Sequence, residues 1–430
     1  MSLEYLNATM ETLRPILPEL YEAETKNTAY GLITKGAEKH KITKTTNGTD
    51  FRIPLEVSAP GVYGALNLAG GSFLTGTSAT LKQMYQSYFP TQLAFKLDLQ
   101  NIYTTDDSKL AIVNAFKKTM KDAPKRLAWN NDASLHNITS GYQGLVALGT
   151  AVTLVGAGTE TMTFDTEFAA NLLYPGMRVE IFKNDLSVHR TSAVPNALPY
   201  ISSVDKSAGT AVITGLGAII PEATDYLAFP GVGSTPAWMN GLYYFHNTAT
   251  TGNLLGLARG TYQELISNMV NAAGALVPDH GLQLYQKIRQ RTGVAPNKLK
   301  GLIHPAQVAQ IYSLGMAISE WTRGKSDEMI DVVPKIGDYI TFCGVNHLVD
   351  IHQSKTRIDW IDTENWGRVY LKEADFYKTP GDGKMIFESR DGDGRVAAAV
   401  EFWMMTSENF YCARPASDGF VYALSIPSGH

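Results

Sequence analysis

Residues 104–132 read TTDDSKLAIVNAFKKTMKDAPKRLAWNND, and the fold turns on them. Leu110, Val113, Phe116, Met120 and Leu127 fall on one stripe of a helix, with Lys109, Lys117, Lys118, Lys121, Lys125 and Arg126 mostly elsewhere. Thr105, Asp106 or Asp107 can cap its start, where side-chain oxygens accept the free amides and carboxylates suit the positive end of the dipole. Pro124 lacks an N–H and should kink or end the helix late. A long helix with one apolar side needs a sheet or a second helix to cover that side.

Both flanks offer strands. Residues 51–58 (FRIPLEVS) and 91–103 (TQLAFKLDLQNIY) bracket a Gly-rich middle, and Leu93, Phe95, Leu97 and Leu99 alternate with the period of a half-buried strand. The middle holds Gly61, Gly64, Gly70, Gly71 and Gly76. So long an excursion is uncommon in a compact domain unless it is functional, and it reads as a protruding loop that another molecule supports. Further upstream, Met10, Leu13, Leu17 and Leu20 follow helical spacing, interrupted by Pro15 and Pro18. Residues 25–52 carry Lys26, Lys35, Lys39, Lys41, Lys44 and Arg52 against Glu38 and Asp50, which predicts an extended, mobile arm.

Downstream, 150–232 is β-rich, with short runs such as TAVTLVG, MRVEIF and TAVITG between turn residues, as in a small inserted barrel or sandwich. From 255 the pattern turns helical, first LARGTYQELISNMVNAAG and then DHGLQLYQKIRQRTG, with Asp279 as N-cap and Gly293 as terminator. LKGLIH reads as a buried strand, and Pro305 opens the helix PAQVAQIYSLG where its missing N–H costs nothing. The remainder is strands: DYITFC and NHLVDI as a hairpin about Gly344–Val345, then WGRVYL, VAAAVEFWMM and ENFYCAR. The whole is α+β.

Composition excludes several classes. With 430 residues, 44% hydrophobic and 18% charged, the chain can build a sizeable core and is neither disordered nor fibrous. Lys+Arg 37 against Asp+Glu 41 gives −4, so no whole-molecule attraction to nucleic acid or anionic lipid is expected. Two cysteines, Cys343 and Cys412, make no disulfide framework and no zinc-ribbon spacing. The opening residues lack a cationic region followed by an apolar run, and no stretch of about 18 apolar residues occurs, so neither a signal peptide nor a membrane span is expected.

Catalytic patterns fail one by one. The run 321–326 (WTRGKS) has Ser319 where a phosphate loop needs Gly and follows a helix instead of a strand, so it reads as an exposed charged loop. His347 and His352 lie near Cys343, but three candidate ligands fall short of a structural metal site, and packed or surface histidines are the reading. Asp359, Asp362, Glu364, Glu373 and Asp375 gather without showing a facing pair, and read as a solvated rim or a subunit contact. Neither a nucleophile elbow nor a calcium loop is complete. No catalytic residue, cofactor or metal is expected.

The succession of parts carries more than any motif. TLRPILPELYEAETKNTAYGLI, FRIPLEVSAPGVYGALNLAGGSF, TTDDSKLAIVNAFKKTMKD and LKGLIHPAQVAQIYSLG follow one another as arm, extended loop, long helix and strand-then-helix. LLYPGMRVEIF…YISSVDKSAGTAVITG stands as an inserted β-domain, and ENFYCARPASDGFVYAL as closing strand and tail. This order resembles the major capsid proteins of tailed double-stranded-DNA bacteriophages, of the Hong Kong 97-like shell fold. That fold has an N-terminal arm, an extended β-loop, a peripheral domain with a long spine helix and an axial α/β domain.

The resemblance implies an arm at 1–50, an extended loop with flanking strands at 51–103 and a peripheral domain with spine helix at 104–149. It places a β-rich insert at 150–235, an axial-type α/β domain at 236–328, and return strands with the tail at 329–430. It also implies a non-catalytic head protein in a virion, made and assembled in the host cytoplasm, that self-assembles into pentamers and hexamers around double-stranded DNA held by non-specific contact. Separate scaffolding, portal and decoration proteins are the expected partners, with no membrane. Gly61, Gly64, Gly70 and Gly71 are then intersubunit contacts in the loop, and Arg323 and Lys325 an axial contact. Lys35, Lys39, Lys41 and Lys44 would lie along a neighbour or face the genome. Relatives that cross-link through a loop lysine have no counterpart here, since no lysine lies between Arg52 and Lys82. The arm-like pattern starts within the first ten residues, so scaffolding is expected to be separate or removed. The alternatives are an encapsulin-type shell with enzyme cargo and an oligomeric enzyme using the β-rich insert or the acidic cluster.

Overall fold

The computed structural model describes residues 10–11, 14–16, 28–34, 43–44, 50–58, 80–98, 108–136, 144–147, 159–163, 173–183, 190, 198–205, 208–217, 225–228, 230, 239–295, 298–322, 339–380, 383–390 and 396–427. Helix α1 (Ala29–Thr34) precedes strands β1 (Thr43–Lys44), β2 (Asp50–Ser58) and β3 (Thr80–Ser87), which pair antiparallel in that order. Strand β4 (Phe89–Asp98) leads to the long helix α2 (Ser108–Leu135). Then come β5 (Gly144–Ala147), β6 (Thr159–Thr163), β7 (Glu180–Phe182), β8 (Tyr200–Asp205), β9 (Thr210–Thr214) and β10 (Tyr226–Ala228). Helix α3 (Leu242–Phe245) and the hairpin β11 (Asn253–Leu254) and β12 (Leu257–Ala258) precede β13 (Asn268–Gly274), α4 (Pro278–Thr292), β14 (Leu299–Ile303) and α5 (Pro305–Thr322). The chain closes with β15 (Tyr339–Phe342), β16 (Val345–Val349), β17 (Ile358–Asp362), β18 (Trp366–Phe376), β19 (Phe387–Arg390), β20 (Val396–Cys412) and β21 (Gly419–Leu424).

One sheet is organised by β20, which runs for 17 residues. Met404 pairs with Leu93 of β4 on one edge and with Phe376 of β18 on the other, while β19 continues the second edge. The alternating side chains Phe402, Met404 and Thr406 are buried, and Phe402 stacks on Phe95 at 5.1 Å between ring centroids. Helix α2 covers this sheet through Met120, Ala123 and Leu127, which share its core. The helix is one element of 28 residues and does not stop at Pro124. The apolar residues on either side of the proline are packed into the core, which holds the turn that lacks one backbone hydrogen bond.

The expected mobile arm is corrected over 28–34. These residues form α1, whose Ala29, Tyr30 and Ile33 are buried against α2 and β18. Apolar positions at i, i+1 and i+4 give even this short helix a face to bury.

A second, six-stranded sheet has the order β13-β21-β17-β14-β16-β15, with β13/β21 and β14/β16 parallel. Helix α4 packs on β13 and β21, and Leu284 and Ile288 join Val270, Leu299, Ile303, Trp360 and Val421 in one core. Residues 268–274, expected to be helical, are the strand β13. Pairing with β21 in register from Asn268 opposite Gly419 satisfies their backbone and overrides the local helical pattern. Helix α4 is capped by Val277, with Pro278 leading and Asp279 inside the first turn, and Gly293 closes it at φ 70°. The β15–β16 turn sits on Cys343 and Gly344, at φ 51° and 78°, one residue earlier than expected. At Gly301 in β14 a Cβ would lie 2.0 Å from the His347 ring, so glycine there is a packing requirement.

The strands β6-β9-β8 and β5-β10-β7 form two further sheets around Met162, Val179, Ile181, Ile201, Ile213 and Leu227. Their core includes Ala133 of α2, and the Arg126 guanidinium stacks over Tyr174 at 4.1 Å. The long helix therefore serves two cores.

Candidate functional site

Strands β2 and β3 present one buried and one open face. Phe51, Ile53, Leu55 and Met84 point into the core, whereas Arg52, Pro54, Gln83 and Tyr85 are exposed on the opposite face. Leu81 continues that face at 62% exposure and Tyr85 at 48%. The backbone of Tyr85 donates to Leu255 O at 3.1 Å, which anchors the base of the hairpin. Two large side chains, Leu81 and Tyr85, thus lie open on this face, with Gln83 between them and Arg52 and Pro54 alongside.

Side-chain and backbone contacts tie the N-terminal segments to the body. Arg14 grips Asp375 through two guanidinium nitrogens, and Lys378 Nζ donates to Glu11 at 2.7 Å. Tyr30 Oη donates to Glu408 Oε2 at 2.6 Å, Asn131 Nδ2 donates to Oε1 at 2.7 Å, and Arg368 donates to Oε2 at 3.1 Å. The backbone amides of Tyr30 and Ala29 donate to Asp132 at 2.9 Å and Asp350 at 3.1 Å.

Those two aspartates belong to a buried polar cluster. Asp132 and His136 come from the end of α2, Asp350 and His352 from the loop after β16. His352 Nδ1 lies 2.6 Å from Asp132 Oδ2 and 3.6 Å from Asp350 Oδ1, while His136 Nε2 lies 3.3 Å from Asp350 Oδ2. A cavity of about 210 Å³ adjoins them, lined by Thr28, Lys125, Trp129, Asp132, Asp350 and His352 among others. Burial raises Asp132, and its neighbour Asp350 raises it further. Burial would raise Asp350 too, but the two histidines more than offset this and hold it well below the ordinary range.

A second buried network joins the two large sheets. Arg357 binds Asp359 through Nε at 2.9 Å and lies over the rings of Tyr243 and Phe420 at 4.0 and 3.9 Å. His246 Nδ1 meets Asp359 Oδ1 at 2.6 Å, and its Nε2 lies 3.6 Å from Asp418, within ion-pair range but too long for a hydrogen bond. Asp418 in turn accepts from the Asp362 amide at 2.7 Å and from Trp366 Nε1 at 2.6 Å. Burial favours the neutral acid at Asp359, yet Arg357 and His246 hold it well below the ordinary range. Burial, with Asp418 nearby, pushes Asp362 up to about 6.

The expected acidic rim is therefore corrected: Asp359 and Asp362 are buried, because Arg357 and Asn365 flank the same strand and bond to them while His246 reaches Asp359 from the segment after α3. Of the remaining acids, Glu364 is exposed beside Lys298 and Asp375 holds Arg14. His347 is packed, as expected. It accepts from Trp360 Nε1 at 2.7 Å through Nε2, its Nδ1 faces Val345 O at 2.9 Å, and burial pushes it down to about 4. Cys343 lies elsewhere, with Sγ 3.4 Å from Pro278 O, and burial pushes its thiol up to about 11. Lys44 sits in β1 opposite Phe51. Lys35, Lys39, Lys41, Gly61, Gly64, Gly70, Gly71, Arg323 and Lys325 lie outside the described residues.

The sequence reading missed Asp132, His136 and Asp350. Asp132 and His136 stand four apart on the helix, and Asp350 and His352 flank one residue. Those two short spacings were the available signal. Their convergence across the chain had none.

No family model matches the sequence, and no curated protein matches it either. In fold the chain is similar to a subunit of the Cyanophage A-1(L) capsid, at 11% identity and TM-score 0.47, covering 93% of each chain. It is similar also to a capsid chain of the native GTA particle, at 9% identity and TM-score 0.39, over 88% of this chain and 86% of that one. A virus-like particle from Pyrococcus furiosus aligns at 8% identity and TM-score 0.35, over 96% of this chain and 99% of that one.

Proposed function

We propose that this chain is the major head protein of a tailed double-stranded-DNA phage, a structural subunit that assembles with copies of itself into the hexamers and pentamers of a closed shell. The observation that carries the reading is the β2–β3 hairpin. It is rooted in the subunit core on one face and holds Leu81 and Tyr85 open on the other, and its two strands flank residues 59–79 in the sequence. Large exposed side chains on such a hairpin are a liability on a monomer and an asset on a subunit whose neighbour covers them. Support also comes from the layout, in which a long helix on a long-stranded sheet, a second mixed sheet with two helices and a return to the first sheet suit a subunit of this kind.

In this account residues 59–80 reach a neighbouring subunit through Gly61, Gly64, Gly70 and Gly71, and 316–328 form an axial contact with Arg323 and Lys325. Lys35, Lys39, Lys41 and Lys44 lie along a neighbour or face packaged DNA. Scaffolding, portal and decoration proteins are the further partners of this reading, and assembly takes place in the host cytoplasm. The double variant Leu81→Asp, Tyr85→Asp is expected to keep the circular dichroism of the subunit and to lose large assemblies in sedimentation velocity. Assemblies of unchanged size and yield from that variant would remove the hairpin from the contact.

A further inference from the structure

Two carboxylates and two imidazoles sit together where the N-terminal helix meets the spine helix and the loop after β16. One ligand atom from each of Asp132, Asp350 and His352 lies within 4.8 Å of the others, and all three residues are buried. Atoms in that range can share one ion with only small side-chain adjustments. Two observations independent of the acidic pair point to a ligand. His352 Nε2 and His136 Nδ1 are buried with no hydrogen-bond partner, although both side chains are almost wholly enclosed. Beside them lies a cavity of about 210 Å³, bordered by His352, Asp132 and Asp350 and large enough for waters that complete a coordination shell.

Charge sharpens the point. Two buried carboxylates in one site need compensating positive charge. The basic side chains beside them are His136 and His352, with Lys125 on the cavity wall. A divalent ion would set positive charge against both carboxylates at once and take the neutral His352 imidazole as a ligand.

We propose that Asp132, Asp350 and His352 form a divalent transition-metal site, with water from the cavity as the remaining ligands and His136 as the group that orients Asp350. Two carboxylates with one imidazole suit Mn²⁺ or Zn²⁺ better than Ca²⁺, which prefers an all-oxygen shell. The same two carboxylates accept the amides of Ala29 and Tyr30, so the ion also fastens the N-terminal helix to α2 and to the loop at 350–352. The inference concerns a joint within one subunit and does not depend on the shell reading.

The test uses the full chain stripped with EDTA and dialysed against MnCl₂, ZnCl₂ or CaCl₂. About one equivalent of Mn²⁺ or Zn²⁺ per chain is expected, with a rise in Tm that Ca²⁺ does not reproduce. Asp132→Asn and His352→Gln should each abolish that binding while the EDTA-treated chains still melt cooperatively, and His136→Gln should weaken it roughly tenfold as an orienting partner does. If the variants fail to fold, anomalous-difference density from Mn²⁺ bound to the unaltered chain decides, with a peak expected beside these three side chains. No binding by the unaltered chain, equal binding by the folded variants, or a peak elsewhere would each overturn the site.

Discussion

His347 and Asp362 show how single residues set the acid response of the molecule. The neutral His347 ring is fixed between Trp360 and Val345, with its pKa pushed down to about 4 by burial. Between the ordinary imidazole value of about 6.5 and that point, the unfolded chain takes up a proton that the folded chain refuses. Stability therefore falls as pH falls through this window. Asp362 works the other way. Burial and Asp418 push its carboxyl up to about 6, so the folded chain binds a proton before the unfolded one does, and stability grows as pH falls from there towards the ordinary aspartate value. The two effects oppose each other in the wild-type chain. Asp362→Asn removes only the second, so urea midpoints of the variant should drop more steeply from pH 6.5 to 4 than those of the wild type. Parallel profiles would contradict the assignment.

At the scale of elements, the clasp on α1 makes the clearest prediction. Tyr30 Oη supplies one of the hydrogen bonds that hold the buried Glu408 carboxylate, and Tyr30→Phe leaves it with Asn131 and Arg368. A loss of about 1.5–3 kcal/mol is expected from urea denaturation, the range for a hydrogen bond to a charged group. An unchanged midpoint would show that the helix is not held there. Elements with a strong local period were legible in the sequence: α2 from its apolar stripe, β4 from strict alternation, and the start of α5 from Pro305. Strand β13 was not, because its place is fixed by a partner strand at 419–424. The α1 clasp escaped for the same reason, since the cationic stretch around it dominates the local pattern while Ala29, Tyr30 and Ile33 carry the burial. The Asp132–His352 cluster joins residues 220 positions apart, and no spacing rule reaches that far.

At the scale of the molecule, the described residues bury ion networks inside and leave several large side chains exposed. Buried ion networks join the two large sheets and fasten the N-terminal helix, while Leu81, Tyr85, Leu282 and Tyr370 remain exposed. On the proposed shell reading these exposed side chains are candidates for contact with copies of the same chain, since identical subunits close through symmetric interfaces. A formal charge of −4 fits a wall that encloses a polyanion without gripping it. The direct measurement is negative-stain electron microscopy of the high-molecular-weight fraction of the purified chain, with and without an added scaffolding protein. Closed shells, or rings of five and six subunits, are the predicted result. A homogeneous small oligomer under both conditions would contradict the shell assignment.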